Sequence, residues 1–292
     1  MEQHILVLLS YSLLYLTVIS LWIPKRTGIQ IWHVLLIASI LFGLFSQQIK
    51  PISIIPIVLL PLAIIYELKK TISFGIRVVL FILVLLLCVG LGAHLFPGFY
   101  NLKVLNQVYI SKNAIPFTMY LNFDKALIGI FILGLSHQLI TSKKDWVNLF
   151  KHTIPLMTSI IFIVIIFAIL LGFIRFDPKL PNNLPIWIIT NLLFVSAAEE
   201  AFFRGFLQKN LSQAMKKINY GNYIAILCVS ILFGIVHYAG GIKYILLATI
   251  SGLGYGFVYD RTKHIESSII THFSLNLTHF LLFTYPMLAS AL

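Results

Sequence analysis

Long apolar runs, each closed by charges, proline or glycine, recur along the whole chain. They lie near residues 5–23, 29–47, 52–66, 72–96, 126–140, 156–174, 185–208, 223–240, 242–259 and 267–284. A helix needs about 20 apolar residues to cross the hydrocarbon core of a bilayer. The pattern therefore predicts an all-α, polytopic bundle of about eight to ten spans. The runs at 52–66 and 126–140 are short, and the first carries Pro56 and Pro61, so re-entrant or kinked passage is expected there. The first run follows MEQH, without a basic flank or a small-residue cleavage site. It reads as a retained span and not as a signal peptide. Segment 97–125 is the long connection; it mixes aromatics with Pro, Asn and Lys, and is expected to form an interfacial or partly re-entrant cap.

Composition agrees with the pattern. Hydrophobic residues make up 59% of the 292 and charged residues 10%, more apolar surface than a soluble domain can bury. The formal charge of +12 is scattered singly and in pairs between the runs, with no basic face carrying interleaved aromatics. Membrane flanks are implied, and a nucleic-acid partner is excluded. The basic pairs fall after the odd-numbered runs: Lys25/Arg26, Lys69/Lys70, Lys143/Lys144/Lys151, Lys209/Lys216/Lys217 and Arg261/Lys263. If all ten runs cross, those loops face the cytosol and the N-terminus lies outside. The two cysteines, Cys88 and Cys228, sit inside apolar runs as small hydrophobes.

Polar residues placed inside spans carry the candidate chemistry, because each is costly there. The seventh run ends in EEAFFRGF, with Glu199, Glu200 and Arg204; the eighth holds FGIVH, with Phe233 and His237; the tenth holds HFSLN, with His272 and Asn276. Glu200 and Arg204 stand at i and i+4, as do His272 and Asn276, and His279 continues the latter face. Counted from a turn at KKINYGN, Glu199 and His237 fall at similar heights on antiparallel helices, roughly 27–30 Å along each. Gly252, Gly254 and Gly256 of SGLGYG thin the ninth run, as close approach to the His272 helix requires. His4, His33, His94, His137, His152 and His264 read as hydrogen-bonded or solvated histidines without a catalytic role.

Two chemistries suit such a set. A carboxylate in an apolar pocket is apt as a general base toward water, with histidine and amide groups available to orient it and to stabilise an oxyanion. Alternatively, Glu199, His237 and His272 are a donor set for Zn²⁺ with an open water position. Either road leads to hydrolysis. Glu200 and Arg204 would neutralise one another and brace the helix, leaving Glu199 unpaired as the base.

The ordered motifs EExxxR, FxxxH and HxxxN on successive spans resemble those of the CAAX protease and bacteriocin-processing (CPBP) family of intramembrane endopeptidases, which includes the eukaryotic CAAX prenyl endopeptidase. The resemblance covers residues 185–285. It implies a helical fold with a cavity open to membrane and cytosol, in which Glu199 activates water with His237, His272 and Asn276 stabilise the oxyanion, and Glu200 with Arg204 holds the helix geometry. It leaves the Zn²⁺ question open. It further implies residues 156–292 as catalytic core with 1–155 as accessory spans, and a membrane-associated peptide or protein as substrate; the Ile-rich, Lys-biased composition points to residence in a bacterial inner membrane. Rival readings keep the fold without catalysis, as an adaptor or bacteriocin self-immunity protein, or use the ionisable groups as a proton relay in a transporter. The transporter reading lacks an inverted repeat.

Overall fold

The computed structural model describes residues 2–24, 28–69 and 71–291. Lys25, Arg26 and Lys70, counted above among the basic flanks, lie outside the described residues. Ten helices run through the rest in chain order: α1 Glu2–Ser20, α2 Ile31–Phe45, α3 Ile54–Glu67, α4 Phe74–Gly92, α5 Phe123–Ser136, α6 Lys143–Leu170, α7 Leu184–Ala214, α8 Gly221–Ile235, α9 Gly241–Thr262 and α10 Ile265–Leu282. Among the described residues, five helical segments are long and apolar enough to cross a membrane, and 31–45, 51–67 and 221–235 form shorter apolar helices. The molecule is a helical membrane protein.

Three local outcomes depart from the sequence pattern. The run at 52–66 opens with a 3₁₀ turn at Pro51–Ser53 and continues as α3 through Pro61. Helix α6 begins thirteen residues before the apolar run, at Lys143, because Ser142 caps it and accepts from the Asp145 amide. Segment 97–125 contains two strands, β1 Leu102–Val108 and β2 Phe117–Leu121, which pair with each other. Alternation does this locally: Met119 and Leu121 are buried while Tyr120 between them is exposed.

The chain divides into two compact units. The first comprises residues 1–103, 120–141 and 193–202. Its centre is α5, buried along nearly its whole length, which is why a run of only 14 helical residues can be apolar on every side. Helices α1 and α2 are joined by a reciprocal pair, each of Ser10 and Ser39 donating its hydroxyl to the other's carbonyl at 2.9 and 2.8 Å. Tyr15 stacks on Phe194 at 4.1 Å.

The second unit comprises residues 104–119, 142–192 and 203–292. Trp187 stacks on Phe280 at 4.1 Å, and its indole nitrogen donates to the Tyr285 hydroxyl. The segment after α10 runs back along two others: the Leu288 amide donates to Phe173 and the Ala289 amide to Asn113. Lys179 donates to the Phe283 carbonyl and to Asp177. Partial burial holds the Lys179 pKa below the ordinary lysine value, while the Asp177 charge pulls it the other way.

Candidate active site

Helix α7 is wound unevenly around its acidic motif. Residues 191–196 and 201–208 are π-helical, and ordinary α-helix holds only 197–200 between them. Such widened turns recur at functional sites because they re-aim the side chains around them. In the first unit, Gly129 of α5 packs directly on Ala198; a Cβ at Gly129 would stand 3.1 Å from the Ala198 Cα. One turn earlier on α5, Lys125 reaches Glu199, its amino group donating to Oε1 at 2.6 Å. The two side chains are 19% and 14% exposed. The expectation that Glu199 stands unpaired is thereby corrected: its partner comes from another helix, 74 residues away in sequence. Lys125 is itself held from behind, its amide donating to the buried Asp124, which also receives Asn101 and contacts His94 at 2.7 Å. His94 is thus tied into a hydrogen-bonded network. Glu200 is fully buried.

In the second unit, His237, His272, Asn276 and His279 line one cavity together with Phe233 and Tyr255. Its volume of about 80 Å³ has room for several water molecules. Phe233 organises the group. Its ring lies 4.7 Å from His237, 5.8 Å from His272 and 4.6 Å from the Arg204 guanidinium. Its carbonyl contacts Nδ1 of His237, one turn on, at 2.6 Å. A carbonyl can only accept, so Nδ1 carries the proton and Nε2 of the neutral ring is an acceptor. That geometry gives the FxxxH spacing a physical meaning, since one residue supplies both the ring beneath the histidine and the bond that fixes its tautomer.

His272 stacks on Tyr255 at 4.7 Å, with the rings within 15° of parallel. Asn276 donates to the Asn191 side chain at 3.2 Å. Arg204 is fully buried, donates to the Gly252 carbonyl at 3.1 Å and lies against the rings of Phe233 and Tyr255. These are partners beyond the Glu200 that helical spacing suggests. The glycines of α9 also serve a different purpose from the one expected. Gly252 faces Ser230 and Arg204, Gly256 faces Gln208 and Ile226, and Gly254 faces Ile160 of α6. They thin α9 toward α7, α8 and α6, while the residue that α9 turns to His272 is a tyrosine.

Lys125, Asn191 and Tyr255 were not singled out by the sequence reading. Asn191 and Tyr255 are polar-tipped residues inside apolar runs, and Lys125 follows another charge at the start of one; that signal was present but weak.

Among the described residues, no three His, Cys, Asp or Glu side chains group as metal ligands. Glu199 Oε1, moreover, is engaged by an ammonium that a metal would have to replace. The described residues do not fit a resident metal.

Fold and cavity define an integral membrane protein whose costly polar residues cluster on its C-terminal helices. Residues 181–278, which carry every one of the motif residues, match the family model of type II CAAX prenyl endopeptidases, Rce1-like. A 92-residue stretch is 34% identical to a protein of Bacillus subtilis (strain 168) named "Putative membrane peptidase YdiL". That stretch is 32% of this chain and 35% of the relative, so the chain spans about a third of the relative's length. No solved structure matches the chain. Over that third of its length the chain is thus similar to a family of membrane endopeptidases.

Proposed function

We propose that the protein is an intramembrane endopeptidase that hydrolyses a peptide bond in a membrane-associated protein or peptide. One observation supports this most: His237, His272 and Asn276 line a single cavity, with room for several water molecules, among largely apolar helices. In the proposed reaction Glu199 takes a proton from water as the hydroxide oxygen attacks the scissile carbonyl carbon. His237 orients that water through Nε2. N–H groups of His272 and Asn276 hold the oxyanion, and on its collapse the C–N bond breaks while the proton on Glu199 passes to the leaving amine. Lys125 fixes the Glu199 carboxylate and balances its charge. The catalytic core is assigned to 156–292, and the accessory spans of 1–155 contribute Lys125.

The test is Glu199→Gln, nearly isosteric, expressed at the level of the wild type, with membrane-proteome N- and C-termini compared between the two. Loss of a general base costs roughly 10²–10⁴-fold in rate. Termini produced by the wild type should therefore vanish in the variant. Identical termini, with the variant folded, would favour a non-catalytic adaptor.

A further inference from the structure

We infer that His94 is a positioning residue: its Nδ1–H, through the Asp124 carboxylate, holds the first turn of α5 so that the Lys125 amino group meets Glu199. The catalytic half of this inference rests on the endopeptidase reading; the coupling of His94 to Glu199 does not.

All of the groups involved belong to the first unit. Helix α4 ends at Gly92, and the chain then turns with the His94 amide on the Leu91 carbonyl and the Leu95 amide on the Gly90 carbonyl. That closure puts His94 in the left-handed region, at φ 58°. Glycine is the usual residue there, because a Cβ is penalised. An imidazole at such a site needs a compensating contact, and Asp124 supplies it, with Oδ2 at 2.7 Å from Nδ1. The carboxylate accepts, so Nδ1 donates. The Asp124 side chain is 1% exposed and that of His94 43%, so the imidazole covers the carboxylate at the surface.

The other carboxylate oxygen is occupied separately. It accepts from the Lys125 amide at 2.8 Å and from the Asn101 side chain at 3.0 Å. Asn101 in turn accepts from the Phe123 amide at 2.8 Å. Two amides of the first turn of α5 are thereby satisfied, while Asn122, which precedes the helix, makes no side-chain cap bond. Asn101 is itself held on both sides. The Tyr100 amide donates to the Gln48 carbonyl, and the Leu102 amide to the Tyr11 hydroxyl of α1.

A helix cap would be complete without His94, since capping satisfies amides with oxygen acceptors. The imidazole instead gives a donor to the far oxygen, which no amide of the turn requires. That bond fixes the rotation of the carboxylate and with it the start of α5, where Lys125 sets out toward Glu199 Oε1, 2.6 Å from its amino group. One turn on, Gly129 bears on Ala198, so α5 is fixed beside Glu199 at two points. His94, Asn101, Asp124 and Lys125 all lie outside residues 181–278, in the part of the chain that the family match does not cover.

The test compares His94→Gly with His94→Asn in the full chain. Both residues adopt the left-handed backbone, but only asparagine places an N–H donor where Nδ1 stands. The readout is the yield, per folded protein, of the termini that the wild type makes and Glu199→Gln does not, with thermal midpoints measured alongside. His94→Gly should lower that yield by up to about 10²-fold, the cost of a misplaced catalytic group, and His94→Asn should restore most of it. An unchanged yield in His94→Gly, an equal loss in both variants, or a loss that only follows the folded fraction would overturn the inference. A second measurement needs no cleavage. The midpoint changes of His94→Gly and Glu199→Gln should be non-additive in the double variant, although Asp124 and Lys125 stand between the two sites; strict additivity overturns the coupling. If His94→Gly does not fold, His94→Ala, which equally lacks the donor, replaces it in both measurements. Were Glu199→Gln to lose no termini, the endopeptidase reading would fall, and the double variant would still decide whether His94 acts on Glu199.

Discussion

Glu199 and Lys125 meet at 2.6 Å with both side chains largely shielded. Neither could be placed there alone without a desolvation cost that only an opposite charge offsets. We predict that Lys125→Met lowers the thermal midpoint of the detergent-solubilised protein. Glu199→Gln, added to Lys125→Met, should recover part of the loss, with a coupling of roughly 0.5–3 kcal/mol between the two sites. Strict additivity would show that the pair contributes nothing. A second residue-scale prediction concerns Tyr255. Its Phe variant keeps the stack on His272 and should keep activity, whereas Tyr255→Leu should lower kcat with little change in KM. The motif residues were readable in the sequence because each is a costly polar group inside an apolar run. Lys125 was not readable as their partner, since nothing local records a contact made 74 residues away.

The helices themselves followed from apolar run length, and most boundaries fell within a few residues of the pattern. The exceptions have local causes. A capped amphiphilic extension lengthened α6, and two alternating stretches turned an expected cap into a β-hairpin. The π-wound turns of α7 have no sequence signature, so a 3.6-residue spacing argument around Arg204 could only be approximate. Close packing of α8 on α9 makes a sharper prediction. A Cβ at Gly234 would collide with the Thr249 hydroxyl and stand 2.7 Å from the Ile245 carbonyl, so Gly234→Ala must push the two helices apart. A cost of roughly 1–3 kcal/mol is expected from such overpacking. His237, three residues on, should be displaced with them. A thermal midpoint and cleavage activity both unchanged would contradict this packing.

For the molecule as a whole, the cavity draws on two stretches of chain. Its polar groups His237, His272 and Asn276 fall within residues 181–278, the part shared with the endopeptidase family. The wall formed by Ile165, Ala168, Phe173 and Ile174 falls outside it. Replacing Phe173 by alanine should therefore change which termini are produced while leaving water activation intact; loss of all cleavage by a stably folded variant would contradict that separation. The buried Arg204 and Gln208, bonded to the Gly252 and Gly256 carbonyls, form a rigid base that gives this division a longer consequence. On the endopeptidase reading, catalytic groups held from that base can be inherited unchanged while the rim around them is rewritten, so a lineage can acquire a new diet without reinventing its digestion.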